Sequence, residues 1–98
     1  MSGYRLTHQA ERDLLEIWAY IGQDNPDAAD KVLTNMRAAF AKLGHYPSLG
    51  QHRKELRNDE LRFLPAYSYL IAYRSNTDPV EIYRVLSSYR DIARELSE

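Results

Sequence analysis

The stretch Arg62 to Asp91 reads RFLPAYSYLIAYRSNTDPVEIYRVLSSYRD, with aromatic, branched or arginine residues at nearly every position. Two strands are written in it. Tyr67 to Arg74 is a run of Tyr, Leu, Ile and Ala, and Val80 to Leu86 is Val, Ile, Tyr, Val and Leu around one arginine. Both compositions suit a pleated, half-buried surface better than an exposed helix. Between them Ser75-Asn76-Thr77-Asp78-Pro79 is a cluster of turn residues, and Pro79, with no amide to give to a ladder, marks a strand start. The spacing predicts a β-hairpin.

Upstream, Tyr4 to Leu6 is a short apolar segment that fits an edge or a central strand. Thr7 fits a helix N-cap, since its side-chain oxygen can accept from the free amides of a first turn. Ala10, Leu14, Ile17, Trp18 and Ile21 then recur at helical spacing, predicting an amphipathic helix whose heaviest core residue is Trp18, with Glu11, Arg12, Asp13 and Glu16 on its other faces. Gly22 and Asp24 to Asp27 stop it. Asn25 can cap a second helix and Pro26 fits its first position. That helix carries Ala29, Val32, Leu33, Met36, Phe40 and Leu43 on one stripe and is expected to end at Gly44, with Phe40 in the core. So short a connection makes the two helices an antiparallel hairpin.

Tyr46 to Gly50 has the composition of a loop, and the basic interval Arg53 to Arg57 fits a short strand or an irregular edge. Asn58-Asp59-Glu60 reads as a turn, Leu61 to Leu64 as a strand that Pro65 closes or bends, and the segment up to Leu96 as a last amphipathic turn or two. The expectation is one α+β domain over residues 1–98. A short N-terminal strand precedes the helical hairpin, which packs on one face of a small antiparallel β-sheet, and a short C-terminal helix follows.

The 98 residues can bury one core. With no cysteine there is no disulfide framework or thiolate metal site, and a reducing cytoplasm fits best. No apolar leader is present and no window approaches the roughly 18 unbroken apolar residues of a membrane span, so a soluble, unexported protein is expected. A net charge of −1 with 28% charged residues is not the basic body that grips duplex DNA, and direct sequence-specific DNA binding by the chain alone is not expected. His8, His45 and His52 show no metal-ligand spacing, and the sequence has no GxSxG, P-loop, HExxH or GxGxxG. No catalytic residue, metal or cofactor is assigned.

The chemical signal is arginine and tyrosine. Guanidinium groups on a sheet bind carboxylate or phosphate bidentately and keep their charge. Tyrosine supplies contact area at low entropic cost. Glu55, Asp59, Glu60, Asp78, Glu81, Asp91 and Glu95 are available as internal partners, and Tyr69, Tyr73 and Tyr83 suit the core as well as a contact surface. On the sheet face that the helices leave open, the candidate binding residues are Arg62, Tyr67, Arg74, Arg84, Tyr89 and Arg90, with Arg53 and Arg57 at the periphery.

Tyr4-Arg5-Leu6-Thr7 with Ala10, Asp13-Leu14, Ile17-Trp18 and Tyr20-Ile21 opens a longer pattern. It continues through Ala28-Ala29, Leu43, Pro47, Leu49-Gly50, Arg53, Glu55-Leu56-Arg57 and Arg62, then Tyr69-Leu70-Ile71, Tyr73-Arg74, Ile82 to Leu86 and Arg90-Asp91. In order and spacing this resembles the ParE branch of the RelE/ParE toxin superfamily over nearly the whole chain. The resemblance implies the toxin half of a type II toxin-antitoxin pair, able to stop growth or stabilise a plasmid, that inhibits DNA gyrase by trapping it with cleaved DNA and has no catalytic centre of its own. It also implies a cognate ParD-like antitoxin with an acidic amphipathic tail, assembling with the toxin as a hetero-oligomer. The alternatives are a ribosome-dependent mRNA endonuclease of the RelE type and a non-toxic antitoxin-binding module. Arg90 matches a basic position of the ribonuclease branch. Leu70 stands where that branch commonly has an arginine, and the tail after Arg90 offers no Tyr or His.

Overall fold

The computed structural model describes residues 3–56, 59–87 and 92–96. Strand β1 (Tyr4–Leu6) leads directly into helix α1 (His8–Gly22), followed by α2 (Pro26–His45), a single 3-10 turn at Lys54–Leu56, strands β2 (Arg62–Ala66), β3 (Tyr69–Arg74) and β4 (Val80–Ser87), and the short helix α3 (Ile92–Leu96). The caps are those the sequence asks for. Thr7 Oγ1 accepts from the Ala10 amide at 3.0 Å, Asn25 Oδ1 accepts from the Ala28 amide at 3.0 Å, and Pro26 starts α2.

The sheet order is β1-β4-β3-β2. β2, β3 and β4 are antiparallel neighbours, as expected, while β1 lies parallel to β4, with Tyr4 beside Val80 and Leu6 beside Ile82. The sheet is therefore mixed. The α+β layout stands, with α1 and α2 against one face over a core of Leu14, Met36, Phe40, Leu43, Ile71, Tyr73 and Ile82. Tyr4 meets Phe40 with ring centroids 5.4 Å apart, so β1 is tied to α2 as well as to β4.

Several local expectations change. Helix α2 runs through Gly44 to His45. Gly44 is needed for contact, since a Cβ there would lie 2.5 Å from the Gly3 carbonyl oxygen where the chain crosses this helix end. Trp18 is not core. It is 43% exposed, and its indole N–H donates to Asp30 of α2 at 2.9 Å. The core stripe of α1 is Ala10, Asp13, Leu14 and Ile17, and Trp18, one position and about 100° beyond Ile17, falls at the rim of the helix pair. Tyr67 and Ser68 form the turn between β2 and β3 rather than a strand start, with Tyr67 at φ 57°, a left-handed conformation unusual for a bulky residue. The interval from Arg53 folds into the 3-10 turn, and Gln51 instead bridges Phe63, exchanging backbone hydrogen bonds of 3.0 and 2.8 Å.

The face away from the helical hairpin is not fully open. Leu61, Phe63, Leu70, Ala72, Leu86 and Leu96 form a second apolar cluster there, with Leu56, Tyr83 and Ile92 packed against it. The strands can feed both cores because β4 carries a bulge. Ala72 pairs with Arg84 and Tyr73 with Ile82, so Tyr83 is an extra residue. Val80, Ile82 and Val85 point to the helices, while Tyr83 and Leu86 serve the other side.

Candidate functional site

The arginines expected on one face are divided among three settings. Arg62 pairs with Tyr73, which faces the helices, so Arg62 lies on that side. Its Nη1 donates to the Gly50 carbonyl at 3.0 Å and its Nε to Ser75 Oγ at 3.1 Å. Tyr73 completes the clamp, donating its hydroxyl to the Pro47 carbonyl and accepting from the Gly50 amide, both at 2.7 Å. Burial raises the Tyr73 phenol above its ordinary value, against smaller lowering effects from the Gly50 amide and Arg62. A Cβ on Gly50 would stand 2.6 Å from that hydroxyl, which is why the 46–50 loop closes on a glycine. Arg62 is a loop clamp on the helix side of the sheet rather than on the face that the helices leave open.

Arg84 also leaves that face. Its Nε donates to Asp13 Oδ2 at 2.8 Å and its Nη2 to Oδ1 at 3.2 Å, and the Val85 amide donates to the same Oδ2 at 2.9 Å. Asp13, expected on the solvent side of α1, is 6% exposed. The cause is the shortness of β1. It covers β4 only from Val80 to Ile82, and beyond that the outer edge of β4 is finished by α1, with the Thr7 hydroxyl donating to the Tyr83 carbonyl at 2.7 Å and Asp13 accepting from Val85. An edge amide buried under a helix needs an acceptor, and a buried carboxylate needs a cation. Hydrogen bonding to Asp13 raises the Arg84 pKa, outweighing the opposing effect of burial.

Arg74 is the member that forms a surface. Arg5, Glu81 and Arg74 occupy paired positions on β1, β4 and β3, turned away from the helices. Glu81 bridges the two guanidinium groups, at 3.1 Å to Arg5 and 2.6 Å to Arg74, and Arg74 lies over the Tyr83 ring at 4.6 Å from its centroid. Two cations share one carboxylate, so the row carries a surplus positive charge. The Arg5 side chain is 57% exposed. Sequence reasoning left Arg5 out of the site, although its place between Tyr4 and Leu6 signals an outward strand position.

Tyr67 sits at an exposed turn tip, with its hydroxyl accepting from the Asn35 side chain of α2. Arg53 is partly buried just before the 3-10 turn. Arg57, Tyr89 and Arg90 lie outside the described residues. Among the described residues no group of three or more His, Asp or Glu is placed to hold a metal, and no helix is long and apolar enough to cross a membrane.

A cleft of about 550 Å³ opens between α1 and the adjoining ends of β3 and β4. Ile17, Val85 and Leu86 supply its apolar lining, Tyr20 and Tyr69 its aromatic walls, and Glu16 a carboxylate. Burial first, and the neighbouring Tyr20 second, hold the Tyr69 phenol above its ordinary pKa.

The profile of the family described as "ParE toxin of type II toxin-antitoxin system, parDE" matches residues 4–92. A relative from Sinorhizobium fredii (strain NBRC 101917 / NGR234), named as a candidate toxin, Y4kP, is 38% identical over 86 residues, which is 88% of this chain and 88% of that one. A solved structure described as the chromosomal ParDE TA system from P. aeruginosa superposes with a TM-score of 0.71 over 89% of this chain and 96% of that one, at 20% identity, a likeness of fold. With the helical hairpin, the mixed sheet and matches of this extent, the chain belongs to the ParE family of type II toxin-antitoxin toxins.

Proposed function

We propose that this toxin acts by binding, with DNA gyrase as its target, and that a ParD-like antitoxin neutralises it in the cytoplasm. The observation that carries the non-catalytic reading is the position of Leu70. It is 3% exposed in the centre of the sheet, inside the apolar cluster with Phe63, Leu86 and Leu96. Phosphoryl-transfer chemistry on RNA needs cationic and proton-transferring groups gathered on one accessible surface. Here the centre of the sheet face away from the helical hairpin is hydrocarbon, Arg62 holds a loop, and Arg84 neutralises a buried carboxylate. The Arg5 and Arg74 row, steadied by Glu81 and Tyr83, is suited to carboxylates of a protein partner, and an acidic antitoxin tail would order on it as it binds.

The test is a gyrase supercoiling and cleavage assay with the purified chain, run beside a translation extract probed for cut messages. Linearised plasmid with intact messages is the expected result. Cut messages with unaffected gyrase would replace this reading with the ribonuclease one, and tight antitoxin binding without either effect would leave a non-toxic binding module.

A further inference from the structure

The cleft between α1 and the β3 and β4 ends has a chemistry opposite to that of the arginine row. Asp13 at its inner end is neutralised by Arg84, so its charge does not reach a ligand. Glu16, one turn along the helix from Asp13 and exposed, makes no ion pair among the described residues. Tyr20, 72% exposed, and the partly buried Tyr69 present two phenol rings to the same space. None of the described residues lining the cleft is Lys or Arg. A negative group at the lip, two electron-rich rings and an apolar floor are together the complement of a long cationic side chain, whose methylene stem can lie on Ile17 and Val85 while its head meets the carboxylate and the rings.

We propose that this cleft is a receptor for an arginine or lysine side chain projected by a partner polypeptide, flanked there by apolar residues. It rests on the reading that the toxin works by binding a protein partner and adds the chemistry of one segment of that partner, the antitoxin. The bound segment is then of mixed sign, with carboxylates over Arg5 and Arg74 and a cation in the cleft. Charge complementarity fixes its direction on the toxin, because reversing the segment would set cation against Arg5 and carboxylate against Glu16.

The experiment is an amide-shift titration of the full, isotope-labelled chain with three capped peptides, Leu-Arg-Leu, Leu-citrulline-Leu and Leu-Glu-Leu. Citrulline keeps the shape of arginine without its charge. The expected result is saturable shifts at Glu16, Ile17, Tyr20, Tyr69 and Val85 with the arginine peptide. Binding should be weaker by about 3- to 30-fold with citrulline, the size of an exposed ion pair and a cation–π contact combined, and by about 1.5- to 5-fold with Glu16→Gln, which removes the ion pair alone. Tyr20→Leu, exposed and so harmless to folding, should weaken it as well. Equal binding of arginine and citrulline, preference for the glutamate peptide, or an undiminished Glu16→Gln would each overturn the assignment. Gyrase plays no part in this measurement, so a failed cleft and a failed target reading remain distinguishable.

Discussion

Replacing Asp13 by alanine removes one carboxylate and deprives its two close donors of their acceptor at once, along with the Gln9 side-chain amide at 3.5 Å. The Val85 amide, buried beneath α1, loses its 2.9 Å partner, which costs about 1–3 kcal/mol for an unsatisfied buried donor. The Arg84 guanidinium loses both of its contacts with the acid. Breaking a fully buried pair from one side costs about 3–5 kcal/mol. The Arg84 side chain keeps 15% of its surface in water and can turn outward, which favours the lower end. These terms overlap, so the expected loss for Asp13→Ala is about 3–4 kcal/mol, a large share of the roughly 5–15 kcal/mol that holds a domain together. At about 4–8 °C per kcal/mol for a chain of this size, the Tm should fall by some 12–30 °C. Asp13→Asn keeps an oxygen for the Val85 amide and should lose about half as much. Urea unfolding followed by far-ultraviolet circular dichroism measures the free energies and a thermal melt the Tm, and the Asp13–Arg84 coupling should survive 0.5 M salt because the pair is little exposed. A loss below about 1 kcal/mol for Asp13→Ala would refute the account of the β4 edge, since the orphaned Val85 amide alone should cost that much.

Gly50→Ala should destabilise by about 1–3 kcal/mol, because the new methyl meets the Tyr73 hydroxyl and the Phe63 carbonyl at once; thermal melts check it. The raised Tyr73 pKa means that the fold favours the protonated phenol. Its stabilising contribution is full below the unfolded value near pH 10 and is lost as the pH climbs through the higher folded value, so urea midpoints should fall above about pH 10, less steeply in Tyr73→Phe. Phe40→Ala should cost about 3–5 kcal/mol, while Trp18→Ala, at the rim, should cost under half of that in the same urea assay. Arg5→Ala with Arg74→Ala should weaken antitoxin binding, measured calorimetrically, while Arg12→Ala on the outer side of α1 leaves it unchanged; equal affinities would remove the row from the interface.

What was legible in the sequence was mostly local. Thr7, Asn25 and Pro26 name the helix starts because a cap is decided within four residues, and the second hairpin follows from its turn cluster. Other features are signalled less directly. Ala10, Asp13, Leu14 and Ile17 are spaced as one helical stripe, so Asp13 was a charge written into an apolar face, and Arg84 was its counterpart within an apolar strand. Leu70 to Tyr73 is an unbroken buried run, the mark of a strand covered on both sides, which told against an open sheet face. The broken alternation of Val80, Ile82 and Val85 marked the bulge. The turn at Tyr67 left no such trace, because its two residues include neither Gly nor Asn. The cleft is assembled from α1 and the sequence-distant β3–β4 hairpin, and no periodicity within one element could have shown it.

The partnership of β1 with β4 also sets the order in which the chain can mature on the ribosome. Thr7 waits for Tyr83, 76 residues later, before the sheet edge can close. At synthesis rates of about 5–20 residues per second this delay is roughly 4–15 s, whereas a helical hairpin forms in far less than a second. In the later part of that interval, between the completion of α2 at His45 and the arrival of β3 and β4, the nascent helices carry Leu14, Ile17, Met36 and Phe40 with no sheet to cover them. A truncated product lacking β4 would keep that greasy hairpin without the strand that joins its two ends, making it a substrate for chaperones and proteases rather than a smaller toxin.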